Sequence, residues 1–75
     1  MTGREWLDAF AARLGVAAPD EAEAQALLAL AGHAAHSSER WAAPLACWVV
    51  ARAGLDPVVA LARAREVPGG RPTVA

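Results

Sequence analysis

Arg40–Pro57 reads RWAAPLACWVVARAGLDP, and its prolines and glycine punctuate the chain. Pro44 has no N–H to give a helix interior, fits a helix's first turn, and disfavours helical geometry at Ala43. A break near residues 40–43 and a helix over 44–53 follow. Gly54 ends that helix, and Asp56-Pro57 supplies an N-cap with proline at the next first position. Between these marks Leu45, Cys47, Trp48, Val49 and Val50 make the helix apolar on nearly every side. A helix greasy all round is expected at the centre, with the other elements packed about it.

Working toward the N-terminus, Asp20 and Glu23 have capping-box spacing, which starts a helix over 21–39. At about 100° per residue, Leu27, Leu30, Ala31, Ala34 and Ala35 share one broad face with Leu28 at its edge. Thr2-Gly3-Arg4-Glu5 repeats the capping box and opens a helix over 3–14. Trp6, Phe10 and Leu14, with Leu7 beside them, give that helix one apolar stripe, and Gly15 is placed to close it in a left-handed conformation.

Toward the C-terminus a last helix covers 57–67, with Val58, Leu61 and Ala62 as its buried stripe. Arg63 and Arg65 lie toward the end where positive charge complements the helix dipole. Residues 68–75, PGGRPTVA, are turn formers without periodicity and are expected to form a flexible tail. The fold class is all-α: one domain, 1–67, as a compact array of four short helices (3–14, 21–39, 44–53, 57–67) with the third central.

Composition agrees. Alanine dominates, Leu and Arg follow it in helix propensity, and strand formers are few. Every base is Arg, and Lys, Ile, Asn and Tyr are absent, as a GC-rich coding sequence gives. Seventy-five residues suffice for one core but not for a separate catalytic domain with a substrate cleft. A core of this size leaves roughly 3–5 kcal/mol after conformational entropy, so self-association or docking is the default expectation.

With Cys47 as the single cysteine no intrachain disulfide forms, and the cytoplasm is the simplest compartment. MTGREWLDAF carries charges where a signal peptide is apolar, and no apolar run reaches the roughly 18 residues of a membrane span. The net charge of −1 conceals an asymmetry: residues 1–39 hold two Arg against six acids, residues 40–75 five Arg against two. Five Arg fall far short of a nucleic-acid-binding face. Gly54-Leu55-Asp56-Pro57 gives a superficial helix-turn-helix, but Asp-Pro-Val-Val is a poor reading end for a recognition helix.

The polar cluster to weigh is Gly32–Arg40. If the second helix extends to residue 39, His33, His36 and Arg40 form a stripe at i, i+3 and i+7, opposite the leucine face. A solvated helix face is the plain reading, and a surface for a protein or an anionic ligand is the functional one. Two His at this spacing suit a metal poorly, since Zn²⁺ takes three or four ligands and only Glu39 and Cys47 are candidates to complete the set. Cys47 is expected as a small core residue, because apolar surroundings suppress thiolate. Trp6 and Trp48 are expected in the core, and Trp41 either as a lid over it or as an exposed anchor. There is no phosphate loop, no nucleophile elbow and no carboxylate pair at a plausible cleft, so nothing points to an enzyme.

Ala35–Leu45, AHSSERWAAPL, with Trp6-Leu7 near the start and Gly54 after the third helix, resembles a small actinobacterial helical domain family of unknown function. Members of that family stand alone or lie C-terminal to MobA-like molybdopterin-guanine dinucleotide nucleotidyltransferases. The likeness covers residues 4–67. His36, Arg40, Ala42, Ala43, Pro44 and Leu45 match the family pattern, whereas Trp41 stands for proline, Ala46 for Thr, Trp48 for Phe and Ala51 for Gly. The resemblance implies an accessory role near molybdenum-cofactor maturation and carries over no catalytic residue or cofactor. The expected site is His36, Arg40, Trp41 and Pro44, with His33 beside them. The expected partner is a MobA-like nucleotidyltransferase, a molybdoenzyme or an anionic ligand; the alternative is a structural homo-oligomer, such as a homodimer, without a ligand.

Overall fold

Residues 1–68 are described by a computed structural model. Four helices follow in order, α1 (Gly3–Leu14), α2 (Glu21–Ser37), α3 (Ala42–Ala53) and α4 (Pro57–Ala64), with no strand among the described residues. The all-α class and the four-helix count are as the sequence implied. The expected tail lies outside the described residues from Gly69 onward.

Local chemistry sets each end. Both capping boxes form: Thr2 Oγ1 accepts from Glu5 N–H while the Glu5 carboxylate accepts from Thr2 N–H, and Asp20 and Glu23 do the same. Gly15 closes α1 at φ 72°, with Gly15 N–H donating to Ala12 and Val16 N–H to Ala11. Those two bonds are a Schellman closure, which only a residue free of a Cβ penalty enters cheaply. Gly54 closes α3 in the same left-handed region.

Three boundaries differ from expectation. α2 ends at Ser37 rather than 39, because the Ser38 hydroxyl and N–H both turn back onto the Ala34 carbonyl. α3 begins two residues before Pro44, which sits third in the helix; first-turn N–H groups have no intrahelical acceptor, so the missing N–H costs nothing there, and Ala43 takes helical geometry despite the proline that follows it. α4 stops at Ala64 instead of 67: Glu66 and Val67 donate to Arg63 and Ala64 in tight turns, and Pro68 disfavours helix at Val67.

The expected centre is also corrected. α2, not α3, is the hub: α3 and α4 each pack along α2, pack little on one another, and α1 packs broadly on none of them. Leu30 (3% exposed), Val50 and Ala60 are the buried core, with Leu27, Ala46, Leu61 and Ala64 against them. α3 turns Ala43, Ala46, Cys47 and Val50 inward, a small-residue stripe at i, i+3, i+4 and i+7. α4 does likewise with Pro57, Ala60, Leu61 and Ala64, so the Val58/Leu61/Ala62 stripe is displaced, and Val58 and Ala62 are exposed.

Small inward side chains bring helix axes close, and the large ones are left outside. Trp48 is 62% exposed and Trp6 54%, so neither is a core residue; Leu28, Leu45 and Val49 are exposed too. Partial shelter comes locally: the Trp6 and Phe10 rings stack at 5.1 Å, and the Arg52 guanidinium lies 5.9 Å from the Trp48 ring centre.

Candidate functional site

The α2–α3 corner is built by the backbone. Ala42 and Ala43 N–H groups donate to the Glu39 and Arg40 carbonyls, which turns the chain through Ser38–Trp41 without a side-chain cap on α3. The Trp41 indole N–H donates to the Glu39 carboxylate, and the ring stands 63% exposed. It is therefore presented to solvent at the corner and does not cover the core. Arg40, Pro44 and His36 are exposed as well, and no hydrogen bond or ion pair joins His36 or Arg40 to another described side chain.

His33 is separated from that group. Because α2 ends at Ser37, Arg40 lies beyond the helix and the i, i+3, i+7 stripe does not form. His33 is half-buried, on the same side of α2 as Leu30 rather than opposite it, with Nε2 3.4 Å from the Ser37 hydroxyl. The structure thus gathers Glu39, Arg40, Trp41 and Pro44 in one turn, leaves His36 on the last turn of α2, and sends His33 elsewhere. Among the described residues no three His, Cys, Asp or Glu side chains converge. Cys47 is half-buried and faces α2, as a core-side thiol does.

His33 faces a groove of about 550 Å³ that runs between α3 and α4 with α2 as its floor. Leu30 and Ala34 line the floor, Ala46 and Val49 one wall, Ala60 and Arg63 the other. The lining is overwhelmingly apolar, with His33, Ser37, Ser38 and Arg63 at its polar edge. The groove exists because α3 and α4 lean on α2 without closing on each other. No sequence motif marks it: of its lining only His33 belongs to the expected site, and most of the rest are alanines, valines and leucines. The signal was there in the contrast between small and large faces: a helix whose alanine stripe is buried has another face to cover.

A second hollow, smaller at about 370 Å³, lies where the α1–α2 connection meets α3. Ala17, Ala18 and Pro19 line it with Leu27, Cys47 and Ala51, on the other side of Val50 from the groove. The Arg4 guanidinium donates to the Pro19 carbonyl and so ties α1 to this connection. Among titratable groups, Glu5 is held below the ordinary glutamate range, first by the Thr2 backbone N–H and second by the Thr2 side chain. That shift belongs to the α1 cap and not to a catalytic centre. No described helix is long and apolar enough to cross a membrane.

Neither a curated protein nor a solved structure matches the chain. Residues 1–69 match the family described as Domain of unknown function (DUF6457), a span that takes in all four helices, the corner and the groove. The chain belongs to that family.

Proposed function

We propose that the domain is a non-enzymatic helical adaptor that works by docking to a protein. The observation that carries this reading is the distribution of apolar side chains: the buried residues are Ala11, Ala26, Leu30, Val50 and Ala60, while all three tryptophans stay exposed. Exposed aromatics beside arginines are the composition of interface anchors, not of a catalytic cleft.

The partner-facing corner in this reading is His36/Arg40/Trp41/Pro44. Trp41 supplies a large rigid anchor, and Arg40 offers a planar fork for a carboxylate or phosphate. The setting in molybdopterin-guanine dinucleotide synthesis, with a MobA-like nucleotidyltransferase or a molybdoenzyme as partner, is carried by the likeness of Ala35–Leu45 alone.

The test is a titration of the full chain against a MobA-like nucleotidyltransferase, and separately against a guanine nucleotide, by calorimetry. Saturable binding that drops at least about tenfold in both Arg40→Ala and Trp41→Ala supports the corner, as loss of an interface anchor predicts. Wild-type affinity in both variants removes it.

A further inference from the structure

Helix α1 has an apolar stripe and no bed for it, whereas α2, α3 and α4 form a bed with no helix in it. Trp6, Leu7, Phe10 and Leu14 are all exposed, and none of them lines the groove of their own chain. We propose that the occupant of the groove is α1 of a second copy of this chain, exchanged reciprocally so that two grooves are filled in one symmetric dimer.

Dimensions support the exchange. At 1.5 Å per residue the stripe from Trp6 to Leu14 is about 12 Å long, and the α3 wall from Ala46 to Ala53 is about 10 Å. α1 carries two Arg against Glu5 and Asp8, so it is formally neutral and brings no net like charge to Arg63 at the groove edge.

The position of the connection favours a partner's α1 over the chain's own. Ala17–Pro19 form part of the wall of the smaller hollow, across Val50 from the groove, and Arg4 holds the start of α1 to Pro19. Filling its own groove would require α1 to break that tie and pass over α3. Exchange leaves the tie intact.

Surface area agrees. The chain exposes 5884 Å², whereas a compact monomer of 7.7 kDa exposes about 4,300 Å². Granting residues 69–75 the full surface of an unfolded segment, about 900 Å², still leaves residues 1–68 about 900 Å² above their own expectation. Two copies hiding that excess bury about 1,800 Å² in total, inside the roughly 1,200–2,000 Å² of a stable specific interface. Two-fold exchange is also self-limiting, because each copy uses its one stripe and its one groove.

The exchange is independent of the partner corner, and one set of measurements separates the two. Sedimentation of the full chain at micromolar concentration is expected to give a dimer. Phe10→Glu, in the stripe, and Val49→Arg, in the groove wall, each weaken it by about 30-fold or more, as loss of a buried anchor does. Both side chains are exposed in the single chain, so helicity by circular dichroism is retained apart from α1. Mixing the two variants restores a dimer, since the pair has one unaltered stripe-and-groove contact and one that sets Glu against Arg. A monomeric wild type, a Phe10→Glu dimer of undiminished strength, or a mixture that stays monomeric overturns the proposal. So does a monomer that carries a co-purified apolar small molecule in native mass spectrometry. A monomer that still binds the nucleotidyltransferase leaves the adaptor reading standing; a dimer that binds none leaves only the exchange.

Discussion

Replacing Leu30 with alanine tests whether α2 is the hub. Leu30 is 3% exposed, touches the α3 and α4 contributions to the core, and also forms part of the groove floor. Leucine-to-alanine changes in well-packed cores cost about 2.7–5 kcal/mol, the spread following how far the site collapses. Here the cavity opens onto the groove and solvent can enter it, so the lower end applies, about 3 kcal/mol. A domain of this size has about 3–5 kcal/mol in all. Leu30→Ala is therefore left with about 0–2 kcal/mol, so its urea midpoint is expected to fall to less than half the wild-type value, with up to about half of the far-ultraviolet helical signal already lost in water at 25 °C.

Trp48→Ala is the control. It removes the larger side chain from a helix that composition marks as central, but the ring is mostly in water and packs on Arg52. A loss below about 1 kcal/mol is expected, the size of an exposed cation–π contact. If Trp48→Ala unfolds the domain as thoroughly as Leu30→Ala, α3 is the centre and the hub assignment fails.

Gly32 lies inside α2 with ordinary helical geometry and nothing within 4 Å of an added Cβ, so Gly32→Ala raises stability by about 0.5–1 kcal/mol in a urea melt. Gly54→Ala meets open space as well but must adopt φ 69°, and the same melt is expected to show a loss of about 1–2 kcal/mol. Asp56→Ala removes the acceptor for Val58 N–H at the start of α4 and costs about 1 kcal/mol, read as a lowered midpoint. The Glu5 carboxylate is lowered in the fold, so its support of α1 is complete above the unfolded glutamate pKa of about 4.3 and is lost as pH falls through the lower folded value. Amide shifts of Thr2 and Glu5 followed from pH 6 to pH 2 show this step, and Glu5→Gln removes it.

The helix count was legible because it is written in local chemistry. Thr2, Asp20, Gly15, Gly54 and Asp56-Pro57 act within a turn of their own positions, and each did in the structure what its side chain dictates. Arrangement was legible only in part. Leu27 and Leu30 lie on the buried face of α2 as their spacing implies, but Leu45, Trp48 and Val49 make α3 look enclosed when only its Ala43/Ala46/Cys47/Val50 edge is. A hydrophobicity pattern records which faces avoid water in the working assembly, and it does not distinguish a face hidden by the same chain from one hidden by another. The His33/His36/Arg40 stripe failed for a local reason, the Ser38 hydroxyl, which turns back on the Ala34 carbonyl and takes Arg40 off the helix.

Helix α1 is held by its two end motifs and by one guanidinium bond to the connection, with no broad packing behind it. An isolated helix of twelve residues is near the limit of what water tolerates, since nucleation is costly and little is gained afterward. Its amide protons are therefore expected to exchange orders of magnitude faster than those of α2, where opening requires the core to come apart. Seating α1 in a second copy, as proposed, would abolish the difference, so the deuterium uptake of Trp6 to Leu14 at rising protein concentration tests that occupancy directly. On the proposed exchange, the order of the first fourteen residues would depend on how much of the protein is present, and dilution would act on this chain as a local denaturant.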